Sequence, residues 1–168
     1  MANLVSGSSS NKSNKISIKV DDYEFRKLLA TFGKMDDMAR NDMKKIAEDL
    51  SIQASKFVTS YAYNAPNPAQ ANAIMKSLKI NNKDKAPNFT VGGKTKVARS
   101  GVSAGRILFG TEFGSNKYKQ FPPRSPSKGR GNRGWFIFIA LERFQPIIAN
   151  KWLLGYGKIA DEWKNRAA

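Results

Sequence analysis

The sequence predicts an α+β domain, with long N-terminal and C-terminal helices packed on one face of a small antiparallel sheet and a long basic loop before the last helix. Two segments, residues 36–61 and 141–163, repeat apolar side chains at three- to five-residue steps, which is a helical period. Short stretches at 15–20 and 89–109 alternate apolar and polar residues or set β-branched residues between glycines, as strands do. The 168 residues are 40% hydrophobic, with ten Phe, five Tyr and three Trp, enough to build one core without metal or disulfide staples.

In chain order, residues 1–14 are Ser, Asn, Gly and Lys with little to bury, and read as a disordered tail ahead of a single domain over 15–168. Lys15 to Val20 alternates Ile16, Ile18 and Val20 with polar residues, a half-buried strand. Asp21 or Asp22 caps a short helix with Phe25, Leu28, Leu29 and Phe32 on one face, ended by Gly33. Asp36-Asp37 opens a longer helix, with Met38, Met43, Ile46, Leu50, Ala54, Phe57, Val58 and Tyr61 as its apolar stripe. Asn64-Ala65-Pro66-Asn67-Pro68 breaks it, and Ala69–Lys76 follows as a short helix running into Leu78-Lys79-Ile80.

Phe89–Val91, Lys94–Ala98 and Arg106–Phe109 are expected as short strands between glycines, and Trp135–Ile139 as a buried one. Leu141, Phe144, Ile148, Trp152, Tyr156, Ile159 and Trp163 then mark the most regular helix, which Pro146 should kink or restart. Gly114 to Gly134 holds three prolines, four glycines and six basic residues without an acid. Its variable part, 115–133, is too long for a hairpin turn and too polar to pack on its own domain.

Composition removes most catalytic chemistry. The chain has no cysteine and no histidine, so there is no thiolate, imidazole base or Cys/His metal site, and a metal would need oxygen ligands alone. Gly101-Val102-Ser103-Ala104-Gly105 matches the serine-hydrolase elbow G-x-S-x-G but has no histidine to serve it. Ser125-Pro126-Ser127-Lys128 matches S-x-x-K in a Pro/Gly/Arg setting that would not depress a lysine pKa. Gly92-Gly93-Lys94-Thr95 resembles the end of a phosphate-binding loop, with Asn88 where that loop needs its first glycine. No catalytic residue, cofactor site or metal site is expected, and the chain reads as a non-enzyme. The longest apolar run, Trp135 to Leu141, is too short to span a membrane, and Met1–Ser10 lacks the features of a signal peptide.

Charge is the strongest positive signal. Twenty-nine Lys and Arg against thirteen Asp and Glu give +16, and residues 67–134 alone carry fourteen bases and two acids, Asp84 and Glu112. Such a field suits nucleic acid, an anionic membrane surface or an acidic protein. Fourteen basic residues between Lys76 and Arg133 are available to neutralise phosphates, and Tyr118, Phe121 and Trp135 to stack on bases.

Several segments in order carry a family resemblance. Ile107-Leu108-Phe109-Gly110-Thr111-Glu112-Phe113-Gly114 precedes a variable polar loop, then Gly134-Trp135-Phe136-Ile137-Phe138 and an amphipathic helix ending Lys158-Ile159-Ala160-Asp161-Glu162-Trp163. Upstream stand the long helix with its proline break and Ser77-Leu78-Lys79-Ile80. Over residues 16–166 this order resembles the tail-completion, or head–tail joining, proteins of long-tailed bacteriophages, the family of lambda tail protein Z. The resemblance implies a structural virion protein without catalytic residues, assembled in the host cytoplasm into a ring, often six-fold, in the neck. It would dock between head-closing proteins and the tail terminator or top of the tail tube, with possible transient DNA contact in the lumen. A tail-terminator ring protein and a basic nucleic-acid-binding module are the alternatives. Tyr118, Phe121, Arg124, Lys128, Arg130 and Arg133 are the expected interface residues. Gly110, Glu112, Phe113, Gly114, Trp135, Trp152 and Trp163 are expected to be architectural, with Phe113 against Trp135 or the last helix.

Overall fold

A computed structural model describes residues 5–8, 14–19, 37–81, 87–97, 101–115, 117–122 and 134–167. The fold is α+β, as expected: two long helices pack together beside a small antiparallel sheet. The strands are β1 (Val5–Ser8), β2 (Lys15–Lys19), β3 (Lys79–Ile80) and β4 (Asn88–Gly92), in the spatial order β1-β2-β4-β3. The helices are α1 (Asp37–Tyr61), α2 (Pro68–Met75), α3 (Ala104–Phe113) and α4 (Ile137–Ala167).

The sheet's two faces follow from its register. Ile16 lies opposite Val91, and Ile80 opposite Phe89, so these four positions share one face. Ile16, Phe89 and Val91 are buried there in the same core as α1 and α4. β3 is only two residues long, and two backbone N–H groups of β4 on that flank go to buried hydroxyls instead. Asn88 N–H donates to Ser51 Oγ (2.9 Å) and Gly92 N–H to Ser77 Oγ (2.8 Å). Those hydroxyls in turn donate to the carbonyls of Ala47 and Ile74, which ties the sheet to α1 and to α2.

α1 and α4 run antiparallel. Arg143 Nη1 donates to Tyr61 Oη at one end of the seam, Lys151 Nζ to Gln53 Oε1 in the middle, and Arg166 lies against Met38 Sδ at the other. Phe57 and Phe144 stack across it at 4.7 Å, and Met43, Leu50, Ala54, Val58, Ile148 and Trp152 fill its interior. Met38, assigned to the apolar stripe, is exposed, and the buried residue of that turn is Ala39.

β2, β4 and α2 form where expected, and α1 starts at Asp37 within one residue of expectation. Several expectations are corrected. Arg106–Phe109 is not a strand but the middle of α3, whose buried Ala104, Leu108, Thr111 and Glu112 recur at helical period. Trp135–Ile139 is not a strand either: Ile137 opens α4, and the buried positions Ile137, Ala140, Leu141 and Phe144 carry the helical stripe back to its start. α4 runs through Pro146 without restarting. Proline removes the bond to the Glu142 carbonyl, but both residues are exposed, so solvent can satisfy that carbonyl. Of the expected strand Lys94–Ala98, the described residues, 94–97, contribute an isolated bridge, Lys96 with Ser103, and no strand. Within the supposedly structureless 1–14, Val5–Ser8 pairs antiparallel with β2, since backbone pairing needs little apolar side chain. The expected helix over 21–32 lies outside the described residues.

Candidate functional site

Two of the segments that carry the family resemblance meet at one buried carboxylate. Glu112 is completely buried near the end of α3, and its side chain reaches the first turn of α4. Its Oε2 accepts from the N–H groups of Phe136 (3.2 Å) and Ile137 (3.0 Å), and its Oε1 from Phe138 N–H (3.0 Å). The first N–H groups of any helix lack internal partners, and the helix dipole favours negative charge there. Glu112 supplies both needs from another helix, so a carboxylate that would be costly to bury alone is held by three donors.

Gly134 makes room for it. Its backbone has φ +68°, and a Cβ there would fall inside contact distance of Glu112 Oε1, so both conformation and space select glycine. Gly114, at φ +81°, ends α3 by donating its N–H to Gly110 O (2.8 Å). Phe113 is half-buried, 5.1 Å from the Phe138 ring, which places it against the last helix. Trp152 is buried in the core, and Trp163 packs on its edge.

Gly110 is a mid-helix residue without positive φ, and a Cβ on it would meet the Phe121 ring at 2.9 Å. Phe121 is a correction. Assigned as an interface anchor, it is buried instead, laid on α3 in the space that Gly110 leaves. The start of the long loop is therefore packed on its own domain. Ser115 N–H donates to Phe121 O (2.7 Å), Phe121 N–H to Tyr118 O (2.9 Å), and the Trp135 indole N–H to Pro122 O (3.1 Å). Tyr118 remains exposed at 52%, edge-on to Phe121 and under Lys117. Arg124, Lys128, Arg130 and Arg133 lie outside the described residues, as does the S-x-x-K match.

Beside this lock, Tyr61, Asn64, Trp135, Ile139 and Arg143 line an open cleft of about 280 Å³, with the Arg143 guanidinium 5.7 Å above the Tyr61 ring. A second cleft of similar size lies along the α1–α4 seam, lined by Ile46, Asp49, Gln53, Lys151 and Leu154 among others. Exposed large apolar side chains sit mainly on the helical layer: Met38 on α1 and Ile147, Leu153 and Leu154 on α4.

The catalytic motif matches acquire structural roles. Ser103 is the residue before α3, with extended, unstrained backbone (φ −80°, ψ 148°), unlike the strained turn of a nucleophile elbow. Gly92–Thr95 leads into an extended segment rather than a helix, and the α3 N–H groups of Ala104 and Gly105 are taken by the carbonyls of Thr95 and Gly93. Among the described residues no group of three or more Asp or Glu gathers as a metal would require. No described helix is long and apolar enough to cross a membrane. Comparison with protein-family models, with curated proteins and with solved structures returns no match.

Proposed function

We propose that this chain is a structural subunit of the neck of a long-tailed phage, a tail-completion protein that assembles with copies of itself into a ring and has no catalytic role. One observation carries the reading. Two of the segments whose order carries the resemblance, Glu112-Phe113-Gly114 and Gly134-Trp135-Phe136, are distant in sequence but meet in space as a helix-capping lock. A motif whose charged member is spent on backbone N–H groups is kept for architecture, since a buried carboxylate bonded to three donors has no substrate to touch. A ring requires a heterologous contact that closes on itself, and contacts of that kind are anchored by large apolar side chains. Ile147, Leu153 and Leu154 of α4 are exposed and suited to it.

The test is a phage whose genome encodes this chain, with the coding region deleted. Filled heads and full-length tails that fail to join, rescued by the supplied protein, are the expected result. Tails of uncontrolled length would move the assignment to the tail terminator, and normal joined particles would overturn it.

A further inference from the structure

The sheet side of the molecule carries charge that the helical layer does not share. On the face opposite Ile16 and Val91, the register sets Lys79, Thr90 and Ser17 in one cross-strand row, with Lys15 two residues along β2 from Ser17. The Lys15 stem runs beside Gly93, its Cγ 3.7 Å from where a Cβ would stand, which brings it next to Lys94. Lys96 is bridged to Ser103, whose carbonyl accepts from Arg106 N–H (3.1 Å), so these two cations continue the patch onto the start of α3. Lys76 stands at the end of α2, three residues before Lys79. All six cations are exposed, and among the described residues none is in an ion pair. Between residues 50 and 111 the sequence holds one acid, Asp84.

We infer that this face binds the phosphate backbone of double-stranded DNA without reading its sequence. Lysine, arginine and small hydroxyls are the side chains that contact phosphates, and Ser17 and Thr90 stand in the row beside Lys79. An acidic protein would need apolar anchors in the contact, but among the described residues the exposed large apolar side chains are those of α1 and α4, Tyr63 and Tyr118. A single strand would need aromatic platforms. The sheet's aromatic residue, Phe89, points into the core, and of the three rings available for stacking in sequence Phe121 is buried and the Trp135 indole N–H is bound to Pro122. The inference does not depend on the neck reading and applies to an isolated subunit.

The probe is a short labelled DNA duplex of arbitrary sequence, titrated with the full chain by fluorescence anisotropy from about 50 to about 200 mM salt. Contact with about four to six phosphates gives a log–log salt slope of roughly −4 to −5. Lys15→Glu/Lys79→Glu/Lys94→Glu should lower affinity by at least about 100-fold at low salt and flatten the slope by about 3. Lys44→Glu/Lys56→Glu/Lys164→Glu, with the same charge change on exposed helical positions, should retain most of the binding. Lys15→Gln/Lys79→Gln/Lys94→Gln should give an intermediate loss, and serves if the reversal variant fails to fold. Equal loss in sheet and helix variants, tighter binding to single strand, or equal binding to polyglutamate would each overturn the inference, the last in favour of an acidic protein.

Discussion

The sheet side and the helical layer share one core but have opposite surfaces. Six exposed cations of the sheet side have no carboxylate partner among the described residues, whereas α1 interleaves Asp37, Asp42, Glu48 and Asp49 with Arg40, Lys44 and Lys45. Two close ion pairs, Arg40–Asp37 and Lys45–Asp42, lie within that helix. Among the described residues, the large aliphatic side chains left in solvent, Met38, Ile147, Leu153 and Leu154, are all on α1 and α4. The helical layer thus has what protein contacts use, and the sheet side what phosphate contacts use. A net charge of +16 says nothing of this division, which depends on where the acids fall.

Glu112 joins the two regions, because α3 packs on β4 while α4 packs on α1. Breaking that joint should give the largest effect. Glu112→Ala leaves three N–H groups without their acceptor and should cost about 3–5 kcal/mol, read from urea denaturation. Glu112→Gln keeps the shape but loses the charge and one acceptor oxygen, and should cost about half of that. A loss below about 1 kcal/mol for Glu112→Ala would show that α4 does not need the cap.

Phe121→Ala should cost about 3 kcal/mol, the effect of removing a buried ring, although its sequence neighbourhood is Lys, Gln and Pro. An unchanged denaturation midpoint would return Phe121 to the role of a surface anchor. Gly134→Ala should cost about 1–2 kcal/mol from positive φ alone, with the displaced Glu112 carboxylate adding to it. Its near-equivalence to Ala-for-Gly at Gly157, where a Cβ meets nothing, would contradict the lock. Smallest of all, Leu153→Asp/Leu154→Asp should change monomer stability by less than about 0.5 kcal/mol while removing self-association.

The long helices were legible because their stripes are long: seven positions from Leu141 to Trp163 repeat without ambiguity, and all seven face the core wholly or in part. The short apolar runs were not. Ile107-Leu108-Phe109 and Trp135–Ile139 are equally good strands and helix segments by composition, and what decides them is tertiary. The polar residues Thr111 and Glu112 belong to the buried stripe of α3, and the cap on α4 comes from 24 residues upstream. Likewise, nothing near Phe121 announces a core residue, since its partner is the absence of a side chain at Gly110. Motif order leads one to expect Glu112, Phe113, Gly114 and Trp135 to be architectural, but the contact between Glu112 and the α4 backbone has no local signature.

The most direct test of the structural-subunit account is the mass of the purified full chain, measured by mass photometry over a range of concentrations, beside Leu153→Asp/Leu154→Asp. The account predicts one discrete closed assembly for the native chain, six subunits being the expected number, and a folded monomer for the variant with an unchanged circular dichroism spectrum. A native chain that stays monomeric at every concentration, or forms the same assembly in the variant, would contradict it.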